Sequence, residues 1–134
     1  MPEQTKVLIV DDDVDFVTIT KSMLEKKGYA VATAYSGQEG REKAKSERFD
    51  VIILDVMMET DTEGFHVAYD IRQDQAIRNT PLVMLTAINL RDHPAWKVTS
   101  DETWLPVDVF LDKPVTSAQL LGAIEKVLGQ TAQP

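Results

Sequence analysis

Four short stretches of this chain deliver residues that could do chemistry together. KVLIV, residues 6–10, runs into Asp11-Asp12-Asp13. VIIL, residues 51–54, runs into Asp55, and LVMLTA, residues 82–87, ends on Thr86-Ala87. VDVFL, residues 107–111, runs into Asp112-Lys113-Pro114. Carboxylates gathered in one place repel one another and raise one another's pKa. A hard cation among them relieves that repulsion, and an all-oxygen set with room for water suits Mg²⁺, whose ligands sit at about 2.0–2.1 Å. An aspartate can also act as a nucleophile and form an aspartyl phosphate. A lysine ammonium pairs with such a carboxylate or with a phosphoryl oxygen, and a threonine hydroxyl can hydrogen-bond the same oxygen. Each fragment alone has a plainer reading. Asp13 caps a helix, Asp55 opens a turn, Thr86 is a β-former finishing a strand, and Lys113 precedes a loop. The chemistry depends on whether the fold brings the fragments together.

The apolar runs 6–10, 51–54, 82–87 and 107–111 read as buried strands, and AVATA, residues 30–34, as a weaker one. Phe16, Val17, Ile19, Met23 and Leu24 recur at spacings that predict an amphipathic helix, with Gly28 as its left-handed stop. Ser36 and Glu39 form a capping box ahead of a charged helix through Lys45. A third helix spans Gly64 to about Asp74, and residues 88–106, with Pro94, Trp96, Trp104 and Pro106, suggest a short or irregular fourth. Thr116 and Gln119 form a second box, and Leu120, Leu121, Ile124, Val127 and Leu128 line one face of the fifth helix. Five strands alternating with five helices predict an α/β fold: a doubly wound five-stranded parallel sheet with helices on both faces. In such sheets ligands bind outside the carboxyl ends of the strands. Asp11–Asp13, Asp55, Thr86 and Lys113 would then meet on one edge, and their combination outweighs the plainer readings.

With 134 residues, one domain is expected: residues 1–129, with 130–134 as a frayed tail or linker. No cysteine is present, which excludes disulfides and thiol chemistry. The net charge of −8 argues against nucleic-acid binding by this chain. No signal peptide or membrane-length apolar run occurs, so no membrane association and a cytoplasmic location are expected. His66 and His93 have no metal-ligand spacing and receive no chemistry.

Taken in order, VLIVDDD, VIILDVMM, VMLTA and FLDKP resemble the response-regulator receiver domains of two-component signalling, over Lys6 to Leu128. The resemblance implies a flavodoxin-like strand order 2-1-3-4-5. It implies that Asp55 is the phosphoacceptor, and that Asp11 and Asp12, with Asp55 and the backbone carbonyl of Met57, hold Mg²⁺. Thr86 matches the switch hydroxyl, Lys113 the phosphate-pairing lysine and Phe110 the switch aromatic. The peptide before Pro114 is typically cis in the family. The implied activity is regulatory rather than enzymatic. The chain assists its own phosphorylation and dephosphorylation, and the modified Asp55 shifts the face of the fourth helix, fifth strand and fifth helix between two packings. The implied partners are a sensor histidine kinase or phosphotransfer protein and an unknown downstream protein, with the chain a monomer or a phosphorylation-dependent homodimer.

The chain departs from the family in two places. Glu59 stands where most members have Pro, in a loop, ETDTEG, that is one residue longer. Between Thr86 and Lys113 the segment is longer than usual and contains Pro94. That second departure keeps open a phosphorylation-independent docking module on a receiver scaffold. A haloacid-dehalogenase-type enzyme would need a second aspartate where Met57 stands, and a flavodoxin would need a Ser/Thr/Gly-rich loop after the first strand.

The residues two places after Asp55 and two places after Thr86 flank the water that hydrolyses a phosphoaspartate in this family. Here they are Met57 and Ile88, neither of which orients a water by hydrogen bonding. Slow self-dephosphorylation is expected. The double substitution Met57→Asn with Ile88→Glu should speed loss of the phosphoryl group, followed by intact mass over time; an unchanged decay would remove this reading.

Overall fold

The structure is a computed structural model, which describes residues 4–55, 63–87, 109–113 and 115–132, with side chains at most of them. Five strands form its sheet: β1 (Lys6–Val10), β2 (Ala30–Ala34), β3 (Val51–Asp55), β4 (Leu82–Ala87) and β5 (Val109–Lys113). The described helices are α1 (Val14–Lys26), α2 (Gly37–Ser46), α3 (Glu63–Gln73) and α4 (Ser117–Ala132). All neighbouring strands are parallel, in the order β2-β1-β3-β4-β5 expected from the sequence.

Two cores follow from the two-residue period of the strands. Leu8, Val10, Ile52, Leu54, Leu82 and Met84 face α2 and α3, where Ala44, Val67, Ala68 and Ile71 close over them. Val7, Ile9, Val51, Ile53, Val83 and Leu85 face the other way, onto Val17 and Leu24 of α1 and Leu120, Ile124 and Val127 of α4. Each fully buried aliphatic side chain contributes roughly 1.5–3 kcal/mol, so β1, β3 and β4 form the rigid centre from which the strand ends project.

The expected helix punctuation is present. Phe16 N–H donates to Asp13 Oδ1 at 3.1 Å, which makes Asp13 the N-cap of α1. At the other end Gly28 takes φ +96°, Gly28 N–H donates to Glu25 O, and Tyr29 N–H donates to Leu24 O, closing a Schellman motif. Glu39 N–H donates to Ser36 Oγ at 3.1 Å. Thr116 and Gln119 exchange both bonds of a capping box, at 2.9 and 3.1 Å.

Three boundaries differ from the sequence reading. β5, described over Val109–Lys113, runs two residues past the expected end at 111, because ladder pairing with β4, Thr86 with Asp112 and Ala87 with Lys113, carries the strand past its apolar residues; its expected start at 107 lies outside the described residues. Asp55 is likewise inside β3, paired with Leu85. α4 continues to Ala132, so residues 130–132, expected as the start of a frayed tail, lie in the helix. The expected apolar face of α1 is present, with Phe16 and Met23 packed against the same core as Val17 and Leu24, except at its edge. Val17 and Leu24, with Thr20 between them, are buried, whereas Ile19 at that edge is 70% exposed. The expected fourth helix in 88–106, with both tryptophans, lies outside the described residues.

Gly40 brings α2 unusually close to the sheet. A Cβ placed there would lie 2.8 Å from Val10 Cγ1 and 2.9 Å from Cγ2. Gly122, on α4, has nothing within 4 Å of the same position. Alanine is the better helix former by about 1 kcal/mol, but overpacking costs about 1–3 kcal/mol. Urea denaturation should show Gly122→Ala stabilising the protein and Gly40→Ala destabilising it; stabilisation by both would contradict the close approach.

Candidate phosphoacceptor site

β1 and β3 are neighbours, and their carboxyl ends place Asp11 and Asp55 side by side. Asp11 N–H donates to Ala34 O at 3.1 Å, which extends the β1–β2 ladder by one residue and fixes the backbone of Asp11. Its side chain is fully buried, and Asp55 is only 5% exposed. Asp12 points to solvent. Carboxylate oxygens of Asp11, Asp12 and Asp55 lie within 4.8 Å of one another. This set has two buried walls and one open carboxylate, all hard oxygen donors, and it fits a Mg²⁺ ion that keeps part of its water shell.

Lys113 reaches the pair from the end of β5. Its Nζ lies 3.0 Å from Asp11 Oδ2, to which it donates, and 3.5 Å from Asp55 Oδ1. The other oxygen of Asp11 accepts from Asp13 N–H at 2.9 Å. The ammonium also lies over the Phe16 ring, 4.9 Å from its centroid.

One lysine does not neutralise this cluster. Burial and then the charge of Asp11 push the Asp55 carboxyl up from 3.8 to about 7, with a smaller push from Asp12 and against the pull of Lys113. Burial alone would pull Lys113 down, but Asp55 and Asp11 outweigh it and hold its ammonium above the ordinary lysine value. The site is therefore short of positive charge whenever Asp55 is ionised.

Asp11, Asp12, Asp55 and Lys113 are thus brought together as expected. Thr86 stands on β4 one residue beyond Leu85, the register partner of Asp55, which puts it beside the site along the strand. The side chains of Thr86 and Phe110, and the whole of Met57, Ile88, His93 and Pro114, lie outside the described residues. His66 is exposed in the first turn of α3. The sequence reading had Phe16 only as part of the apolar face of α1; its approach to Lys113 depends on the path of β5 and leaves no local pattern.

The chain is similar to known proteins over nearly its whole length. A family model described as the response regulator receiver domain matches residues 7–125. The alkaline phosphatase synthesis transcriptional regulatory protein PhoP of Bacillus subtilis is 35% identical over 92% of this chain and 48% of its own length. The transcriptional regulatory protein CpxR homolog of Haemophilus influenzae is 33% identical over 97% of this chain and 53% of its own. The chain thus spans about half the length of the curated relatives it matches. Among solved structures, the chemotaxis protein CheY4 of Vibrio cholerae is 33% identical with a TM-score of 0.79, covering 93% of this chain and 99% of its own. A two-component response regulator from Clostridium difficile is 28% identical with a TM-score of 0.80, covering 97% and 100%.

The raised Asp55 value has a consequence for stability. Its folded value lies above its unfolded one, so the native state holds the proton more tightly, and stability falls as pH rises from about 4 through about 7. Asp55→Asn removes that slope. Without divalent metal, the variant should be more stable than wild type at pH 8 by on the order of 1–3 kcal/mol, seen as a higher unfolding temperature, and the two should converge near pH 4. Parallel thermal profiles across that range would show that Asp55 does not carry this charge strain.

Proposed function

The chain belongs to the response regulator receiver family, and from that premise we propose that it is a phosphoacceptor switch whose acceptor is Asp55. The observation that carries the reading is the under-neutralised cluster. Three carboxylates gather at the strand ends with one lysine paired to two of them, and one of that pair, Asp55, is buried and held high in pKa. Such a group is costly for stability, and it is suited to a reaction that brings positive charge with it.

In this reading residues 1–129 form the receiver unit. Asp11, Asp12, Asp55 and the carbonyl of Met57 would hold Mg²⁺, which when bound supplies charge neutralisation for the ionised acceptor and the incoming phosphoryl oxygens. An Asp55 oxygen attacks phosphorus in line. The new O–P bond forms as the bond to the donor breaks, and the leaving group departs with its electron pair, taking up a proton as its basicity requires. The donor is a phosphohistidine on a sensor kinase or phosphotransfer protein, or a small acyl phosphate. β3 is buried on both faces, so Asp55 cannot retreat, and attack geometry is set by the strand. Lys113 turns its ammonium from the carboxylates towards a phosphoryl oxygen.

The acyl phosphate carries about −1.5 to −2 charge at pH 7, in place of the single charge of the ionised Asp55 carboxylate. The Thr86 hydroxyl closes on the new oxygens, and Phe110 fills the space it leaves. β5 and α4 belong to the surface that this repacking alters, and a downstream protein reads it there. The activity is regulatory. The PhoP and CpxR relatives are named as transcriptional regulators, so a downstream link to transcription is one form the output would take, with no nucleic acid bound by this acidic unit itself. Among the described residues no helix is long and apolar enough to cross a membrane.

The test is intact mass after incubation with acetyl phosphate and Mg²⁺, beside Asp55→Asn and an EDTA control. One added phosphoryl group, absent in both controls, is expected. No added mass, where a known receiver is modified in parallel, would overturn the phosphoacceptor reading and leave a docking module on this scaffold.

A further inference from the structure

The contacts around Lys113 form a closed circuit. Asp13 N–H donates to Asp11 Oδ1 at 2.9 Å. Phe16 N–H donates to Asp13 Oδ1 at 3.1 Å, which sets the first turn of α1. The ring of Phe16 then stands under the Lys113 ammonium, 4.9 Å from its centroid, and that ammonium returns to Asp11 Oδ2 at 3.0 Å. Lysine has a flexible four-carbon stem with a compact charge at its tip. Two carboxylates pull that tip towards the sheet edge, and without a wall on the α1 side the stem can swing. An aromatic face attracts an ammonium through its quadrupole, which an aliphatic side chain of similar bulk cannot do. Phe16 is half-buried and packs against the core that holds Val17 and Leu24, so its hold on Lys113 has to be separated from its packing.

We propose that Phe16 is a positioning residue for Lys113: its ring, aimed by the Asp13 cap, holds the ammonium on the arc between Asp11, Asp55 and an incoming phosphoryl oxygen. The functional consequence rests on Asp55 being the phosphoacceptor; the contact itself does not. The third aspartate of the DDD run thereby has a role besides capping. It couples the start of α1 to the one described cation of the site.

Two readouts separate this role from simple packing. The Lys113 Hε resonances, in protein labelled with ¹³C at lysine and free of divalent metal, should be displaced upfield by the ring. Phe16→Leu should abolish the displacement and Phe16→Tyr should keep it. With acetyl phosphate and Mg²⁺, Phe16→Leu should slow phosphorylation about three- to tenfold, while Phe16→Tyr stays within twofold of wild type. In a Lys113→Ala background Phe16→Leu should have no further effect, because the interaction it removes is already gone. Undisplaced Lys113 resonances in wild type, or an equal loss of rate with and without Lys113, would overturn the proposal. A displaced resonance in a wild type that takes up no phosphoryl group would instead overturn the phosphoacceptor reading and leave the contact standing.

Discussion

Everything distinctive in this molecule follows from placing two carboxylates, Asp11 and Asp55, inside protein at the ends of adjacent parallel strands. Neither is free to move away. Asp11 is tied through its amide to β2, and Asp55 is still in the ladder of β3. Removing like charges from water while holding them together is unfavourable. The strands can carry this only because β1 and β3 are themselves buried on both faces, from Val7 to Val10 and from Val51 to Leu54. The apolar centre supplies the stability against which the charged edge is set. Lys113 offsets part of the repulsion, and the remainder is a standing preference for whatever cation or proton the site can obtain.

The helices serve that edge in different ways. α1 begins on it, with its cap built from the same aspartate run. α2 is held close to β1 by Gly40, whose missing side chain lets the helix lie against Val10, the residue immediately before Asp11. α4 begins just beyond Lys113 with a complete reciprocal cap, which stops the chain from drifting after β5. All three of these contacts lie within a few residues of the chemistry.

Much of this was legible before the structure was known. β1, β3 and β4 are buried on both faces, so their residues form continuous apolar runs that leave little alternative. The caps were legible because Ser36-x-x-Glu39 and Thr116-x-x-Gln119 are local patterns whose partners lie three residues apart. The end of β5 was not, since Asp112 and Lys113 enter the ladder by pairing with β4, and pairing is invisible to a reading of hydrophobicity. The exposure of one position in α1 was not legible for a related reason. Ile19 has the right residue type for a core position, but the sheet lies on the side of Val17 and Leu24, and a small buried threonine stands where a larger side chain would be expected. The Phe16–Lys113 contact joins two elements at opposite ends of the chain, and no spacing along the sequence encodes it.

That distance has a consequence for how the protein is made. Asp11 and Lys113 are 102 positions apart. At roughly 5–20 residues per second of synthesis, Asp11 and its strand precede Lys113 by something like 5–20 s. During that interval β1 and β3 can both be present, each ending in a carboxylate, without the ammonium that joins them. Contacts of such long sequence separation also form late in folding, because the intervening loop must be closed first. The receptive edge is therefore among the last parts of the molecule to become whole. An unfinished or incompletely folded chain would have apolar strands but no assembled acceptor, so it could not pass on a signal before it could respond to one.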